Sequence, residues 1–445
     1  MPRSKATSIR LLDLKTVPMR TFHLSWLAFF LCFFGWFGIA PLMPVIREEL
    51  ALTQAQVGNL IIASVSATVL ARLFIGWLVD RIGPRITYTC LLIGGAFPVM
   101  LIGLSHSYES FLLFRLTIGI IGASFVITQY HTSVMFASNI VGTANATSAG
   151  WGNLGGGVTQ MVMPALFALF VSLGFVEGVA WRYAMVVPGI AMLLCGMAYY
   201  RWTKDFPEGN MGECTRISGK VEKGSKMSFW RIAKDKRVWA LFLIYGACFG
   251  IELTINNIAA IYYHDRFGLN LKTAGLIAGL FGLMNLFARS LGGYLGDKAG
   301  LWWGLNGRVK FLGLLILMEG FCLFLFSKMS LLPLAVGSMI VFSLFVQMAE
   351  GATFSVVPFV NKRAIGTVSG IVGAGGNAGA VLAGFLFGIE GLPYAEALTF
   401  LGIAVALTSM SSLLISFSPQ DNLEANQEIQ YARQKEVLET AEINS

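Results

Sequence analysis

The chain reads as an all-α membrane protein of twelve transmembrane helices in two pseudo-symmetric halves of six, and three observations predict it. Of its 445 residues, 56% are hydrophobic and 13% are charged, and the mean hydropathy is +0.69; no soluble domain is so apolar. Apolar stretches of roughly 20 residues succeed one another from end to end, each long enough to cross a bilayer. Two of them carry an arginine at mid-depth, Arg72 in ARLFIGWLVDRIGPR and Arg289 in ARSLGGYLGDKAG, and each arginine is followed eight positions later by an aspartate, Asp80 or Asp297.

Taken in order, the spans are expected near 22–46, 57–79, 86–104, 111–135, 143–172, 181–202, 237–264, 273–296, 308–327, 331–359, 365–388 and 394–418. Residues 1–21 form a basic arm without an apolar stretch of their own, so a cleaved leader is not expected and the N-terminus stays in the cytoplasm. With both termini inside, 24 of the 32 Lys and Arg fall on the cytoplasmic side, while Arg47, Arg182, Arg266, Lys272 and Lys328 lie on the other. That asymmetry satisfies the positive-inside rule and requires an even number of spans. The net charge of +8 therefore reports topology, and no nucleic-acid partner is expected. The polar segment 203–236 reads as a cytoplasmic linker between a first bundle, 22–202, and a second, 237–418, with an acidic tail, 419–445, expected to be a frayed helix or disordered. The six cysteines form no CxxC pair, so neither a metal nor a disulfide is expected, and no cofactor.

The halves are copies. A shift of 224 positions lays GTANATSAGWGNLGGG, from Gly142, on GTVSGIVGAGGNAGAV, from Gly366, so that Gly152, Asn153 and Gly155 meet Gly376, Asn377 and Gly379; the arginines follow at 217. Duplicated halves are how a rocking transporter is built, with its site near the midplane between them. A charge at that depth is costly and marks function. Neither arginine has an acidic residue at i±3 or i±4, so pairing can only be interhelical, with Glu252, Glu319 or Glu350; otherwise two guanidinium forks face a flat oxyanion, a geometry that lysine cannot supply. The glycines suit close helix packing. The asparagines need partners for both ends of their amides, and could orient an anion. Phe125, Tyr245 and Phe249 sit at a depth where aromatic walls would exclude water. Glu252, in CFGIELTINN, and Glu350, in QMAEGATF, are the proton-carrying candidates, with His131 a weaker one.

These segments carry a family resemblance. GWLVDRIGPR resembles the loop motif of the major facilitator superfamily, and GYLGDK its second copy. AGWGNLGGG and GAGGNAG are similar to the two signature segments of the nitrate/nitrite porter family, and FFGWFGIAPLMPVIREEL, SVSATVLARL, GIELTINNIAAIYYHDRFGL, TAGLIAGLFGLMNLFARSLGG and FVQMAEGATFSVVPFVNKR resemble its high-affinity nitrate transporter branch. The resemblance runs from Phe33 to Phe387. It implies the facilitator fold, with Arg72 and Arg289 clasping nitrate, Asn153 as the substrate asparagine with Asn377 its second-half partner, Gly152 and Gly376 beside them, Phe125 and Phe249 as the stacking aromatics, and Tyr245 as the family's tyrosine. The chain departs from the plant pattern at Asn256, where an acidic residue is usual, and its central loop is shorter than in fungal relatives.

The function expected is secondary active import of nitrate, and of nitrite, by proton symport with alternating access across a cell membrane. Its partners are nitrate, nitrite, protons and the surrounding lipid; no accessory subunit is indicated. Nitrate/nitrite exchange, a carrier of another small anion, and a non-transporting nitrate sensor are the alternatives. No phosphate-binding GxxxxGK[ST] segment occurs in the chain, and nothing in it reads as an enzyme.

Overall fold

The computed structural model describes residues 5–211, 229–269, 271–387, 389 and 392–444. Among these, the one β-type pairing is an isolated bridge between Ala6 and Phe136; the rest of the regular structure is helical. The first span, Val17–Phe37, leads through two short helical segments into the second, Gln54–Ile82, whose start is fixed by a capping box between Thr53 and Gln56. The third is Pro84–Leu101. The fourth is Tyr108–Gly119 and Ser124–Met135, joined through a 3-10 turn at Ile120–Ala123. The fifth and sixth are Val141–Ser172 and Glu177–Trp202.

The second half repeats the scheme with Lys236–Phe267 as the seventh span and Leu271–Leu283 opening the eighth. After a 3-10 turn at Met284–Leu286 the chain runs helical from Ala288 to Lys328, interrupted at Gly304 (φ 67°, ψ −165°). Only glycine reaches that conformation without strain, so the chain reverses there: 288–303 completes the eighth span and 305–328 is the ninth. Leu332–Val360, Ile365–Phe387 and Tyr394–Thr408 are the tenth, eleventh and twelfth. Ten helices among the described residues are long and apolar enough to cross a membrane. The charged second span and the division at Gly304 complete the twelve.

The halves meet where the second span crosses the eleventh and the eighth crosses the fifth. Small residues permit both crossings: a Cβ on Gly76 would lie 2.5 Å from the Gly366 carbonyl oxygen, and one on Gly293 would lie 2.5 Å from the Ala146 methyl. Two aspartates then fasten the crossings. Asp80 accepts from the backbone N–H groups of Gly366 (3.0 Å) and Thr367 (2.7 Å) and from the Thr367 hydroxyl (2.6 Å). Asp297 accepts from Gly142 N–H (3.0 Å), Thr143 N–H (2.6 Å) and the Thr143 hydroxyl (2.7 Å), and also holds Arg308 at 2.5 Å. Each carboxylate satisfies donors left open at a helix N-terminus, where negative charge is favoured. Both fastenings lie on the side of the bundle that carries the chain termini. On the opposite side burial falls off: the eleventh span is buried from Ile365 to Asn377 and mostly half-buried from Ala378 to Phe387, and the described residues of the fifth beyond Gly155 are mostly half-buried or exposed.

Of the two forms expected of the tail, a frayed helix or a disordered segment, the structure shows a helix. The tail is helical over Pro419–Asn444, because Ala425, Ile429 and Ala432 recur at helical spacing and bury one face against the bundle. Of the expected linker 203–236, residues 212–228 lie outside the described residues.

Candidate functional site

Arg72 and Arg289 are both fully buried, carried to mid-depth by pseudo-equivalent spans of opposite halves. Arg72 reaches across the interface: its Nη1 donates to the Gly373 carbonyl of the eleventh span at 2.5 Å and its Nε to the Gly122 carbonyl of the fourth at 3.3 Å. Its Nη2 has no partner. Arg289 is held differently. Its Nη1 is ion-paired with Glu350 and lies 4.0 Å from Glu252, and its Nη2 donates to the Tyr245 hydroxyl at 2.9 Å, leaving Nε free. The interhelical pairing that the sequence left open is thus made by one arginine and not by the other. Glu319, the third acid considered for it, forms no such pair.

The aromatic residues stand between the two cations. Phe125, from the first half, stacks on Tyr245 and Phe249 of the second, with ring centroids 5.6 and 6.3 Å apart and planes within 17°. The guanidinium carbon of Arg72 lies 5.2 Å from the Phe125 and Phe249 ring centres, and that of Arg289 lies 5.6 Å from Phe125. Cation–π attraction and exclusion of water both follow from this placement. Gly152 abuts the Phe29 ring, and Gly376 abuts Phe249 and Tyr245, where a Cβ would come within 2.5 and 3.0 Å; these two glycines seat the aromatic wall.

Asn153 and Asn377 are 8% and 0% exposed, and both ends of both amides lack partners. Each stands one helical turn beyond a glycine that touches an arginine: Gly150 faces the Arg289 side chain, and Gly373 faces Arg72 and Phe125. A buried amide without a partner is expensive, and two at matched places are placed to take a polar ligand. His131 is not part of it. Its ring nitrogens are taken by the Tyr199 hydroxyl (2.5 Å) and the Lys204 carbonyl (2.7 Å), which ties the fourth span to the end of the sixth.

Two contributors were not singled out from the sequence. Asn285, one turn before Arg289, donates to Glu252 at 2.5 Å; its position at i−4 from an intramembrane arginine was the available signal. Phe354, one turn after Glu350, meets Phe125 and Tyr245 edge-on at 4.9 and 5.1 Å. Nothing set this phenylalanine apart from the chain's 33 others.

A twelve-helix bundle of duplicated halves, with buried cations from both halves at their boundary, has the architecture of a facilitator-type transporter. The Major Facilitator Superfamily model matches residues 25–384, and the chain belongs to that superfamily. The structure resembles the human organic anion transporter MFSD10 (TM-score 0.64, 15% identity, 89% of this chain and 99% of that one). It also resembles the proton:xylose symporter XylE (TM-score 0.65, 13% identity, 88% and 94%). At such identities these two show the fold alone. The sequence is 42% identical to high affinity nitrate transporter 2.5 of Arabidopsis thaliana over 419 residues, covering 93% of this chain and 83% of that one. It is 30% identical to the nitrate/nitrite transporter NrtP of Picosynechococcus sp. over 446 residues, covering 81% and 83%. Within the superfamily, the chain is a member of the high-affinity nitrate transporter family; it is a multi-pass membrane protein and not an enzyme.

Proposed function

We propose that the protein imports nitrate, with nitrite as a second substrate, by proton symport across a cell membrane, with both termini in the cytoplasm and the six-helix halves 22–202 and 237–418 rocking about the site. The observation that carries this reading is the set of four buried charges at the boundary between the halves. Arg72 and Arg289 contribute +2, Glu252 and Glu350 −2. The set is neutral, and an added nitrate leaves it at −1 in a medium where uncompensated charge is strongly disfavoured. A proton on either carboxyl restores neutrality. On Glu350 it also loosens the hold on Arg289, so that Nη1 becomes available to the anion. Both carboxyl groups approach the same nitrogen, Nη1 of Arg289, Glu350 as its ion pair and Glu252 at 4.0 Å, a placement that favours sharing one proton.

Nitrate itself suits the remaining features. It is flat, as are the guanidinium forks and the stacked rings. The free Nη2 of Arg72 and the amides of Asn153 and Asn377 supply donors for its oxygens. An interior-negative potential opposes import of one anion by about 2.3 kcal/mol per 100 mV, so accumulation requires coupling. The fastened crossings on the terminus-bearing side support a reading of this conformation as closed toward the cytoplasm.

The test is nitrate uptake by proteoliposomes with the pH gradient and the potential imposed separately. An inward proton gradient should accelerate uptake into vesicles holding no nitrite. Uptake that requires nitrite inside and ignores the pH gradient would replace symport by exchange. Competition by formate, oxalate or an organophosphate as effective as that by nitrite would widen the substrate to small anions in general, and binding without uptake under any gradient would leave a sensor.

A further inference from the structure

Glu319 lies about 20 Å along the ninth span from residue 305, near the middle of the bilayer, and is fully buried. Neither of its carboxyl oxygens has a hydrogen-bond partner. The groups facing it are all acidic or neutral. Cys248 of the seventh span, Glu350 of the tenth and Cys322 one turn along its own helix lie near enough for its charge to act on them. The twelfth span packs against the adjoining Gly320 through Gly402 and Ala406, and among its residues, Tyr394–Thr408, only Tyr394 and Glu396 at the start can titrate. Among the described residues, no lysine, arginine or histidine bonds to this carboxyl. An isolated ion is not sustained in such surroundings, so the group holds a proton.

Packing does not require an acid here. The third span, the equivalent of the ninth in the first half, makes the same close contact with the sixth through Gly196 against Leu92 and Ile93, and carries no acidic residue between Pro84 and Leu101. What distinguishes the second half is that its ninth span backs onto the wall of the site. Cys248 is three residues from Tyr245, the ligand of Arg289, and Glu350 is the partner of that arginine. We propose that Glu319 is a third proton-binding site of this carrier, a carboxyl that is loaded in the present conformation and exchanges its proton with the Glu252/Glu350 pair. The transfer is a simple proton relay: the O–H bond of the Glu319 carboxyl breaks as one forms on Glu350. Glu319 reloads once the site is open to water.

This proposal rests on the proton-coupled reading, and the experiment separates the two. Glu319→Gln has the shape and neutrality of the protonated acid, so it should insert and bind nitrate with wild-type affinity. In proteoliposomes, wild type should move protons with nitrate, whereas E319Q should show a lower proton-to-nitrate ratio and a flattened pH profile; Glu319→Asp, which retains an acid, should recover part of both. An infrared difference spectrum of nitrate binding gives a readout that does not depend on transport: wild type should show a protonated-carboxyl band that is absent in E319Q and displaced in E319D. If wild type moves protons and E319Q matches it in ratio and pH profile, Glu319 is structural and the proposal fails while symport stands. If wild type moves no protons, both readings fall. Should E319Q not insert, E319D and the infrared band decide, and an undisplaced band overturns the assignment.

Discussion

Arg72→Lys isolates geometry from charge. In the wild type two donors of Arg72 are committed to the scaffold, Nη1 to Gly373 at 2.5 Å and Nε to Gly122 at 3.3 Å, and Nη2 is left for the anion. These acceptors lie on different spans of opposite halves. A lysine ammonium carries three donors at one point, and it cannot hold both carbonyls and also face the anion. The variant must therefore give up at least one hydrogen bond made by a charged group, worth about 1.5–3 kcal/mol, which corresponds to a roughly 10- to 150-fold rise in the nitrate Kd. Loss of the flat contact with Phe125 and Phe249 adds to this. Calorimetric titration of detergent-purified protein gives the Kd, and monodispersity together with melting in the absence of nitrate shows that the fold is retained. An R72K protein that binds and transports nitrate as wild type does would refute the reasoning, since charge alone would then suffice.

The other perturbations act on different parts of the same site. Arg289→Lys, which breaks contacts with both Tyr245 and Glu350, should abolish uptake in an inserted protein; measured uptake equal to wild type would remove Arg289 from the mechanism. If nitrate binding takes up a proton, affinity must rise as pH falls, by at most about tenfold per pH unit for each proton. Glu350→Gln, neutral beforehand, should bind nitrate more tightly than wild type at neutral pH and with little pH dependence, and Glu252→Gln should do so more weakly because it stands 4.0 Å from Arg289; titrations across pH decide. Asn153→Ala should weaken binding at normal folded yield, whereas Gly155→Ala, whose Cβ would overlap the Phe30 carbonyl, should lower the yield itself, as size-exclusion profiles would reveal. Asp297→Asn weakens four contacts at the crossing of the fifth and eighth spans. Spin labels on Ser138 and Lys362 should then report a larger separated population than in wild type, and an unchanged distance distribution would count against the fastening role.

Much of this protein is written in its sequence, because a bilayer leaves the chain few choices. Span lengths follow from the thickness to be crossed and from the need to satisfy every backbone group internally, so the duplicated twelve-helix plan is legible from hydropathy and from the two aligned GN segments. The intramembrane arginines were equally plain, since charge at that depth stands out against apolar surroundings. What one-dimensional reading could not give was partnership. Arg72 and Arg289 occupy matched places, yet one holds backbone carbonyls across the interface and the other is ion-paired with Glu350. That difference depends on which helix faces which, and the facing is set by glycine contacts between residues some 290 positions apart, such as Gly76 and Gly366. The stack of Phe125 on Tyr245 and Phe249 likewise joins rings from opposite halves, and the isolation of Glu319 is a property of its neighbours. Sequence determined which groups enter the membrane; helix packing, by choosing their neighbours, decided which are paired and which remain free to take a ligand.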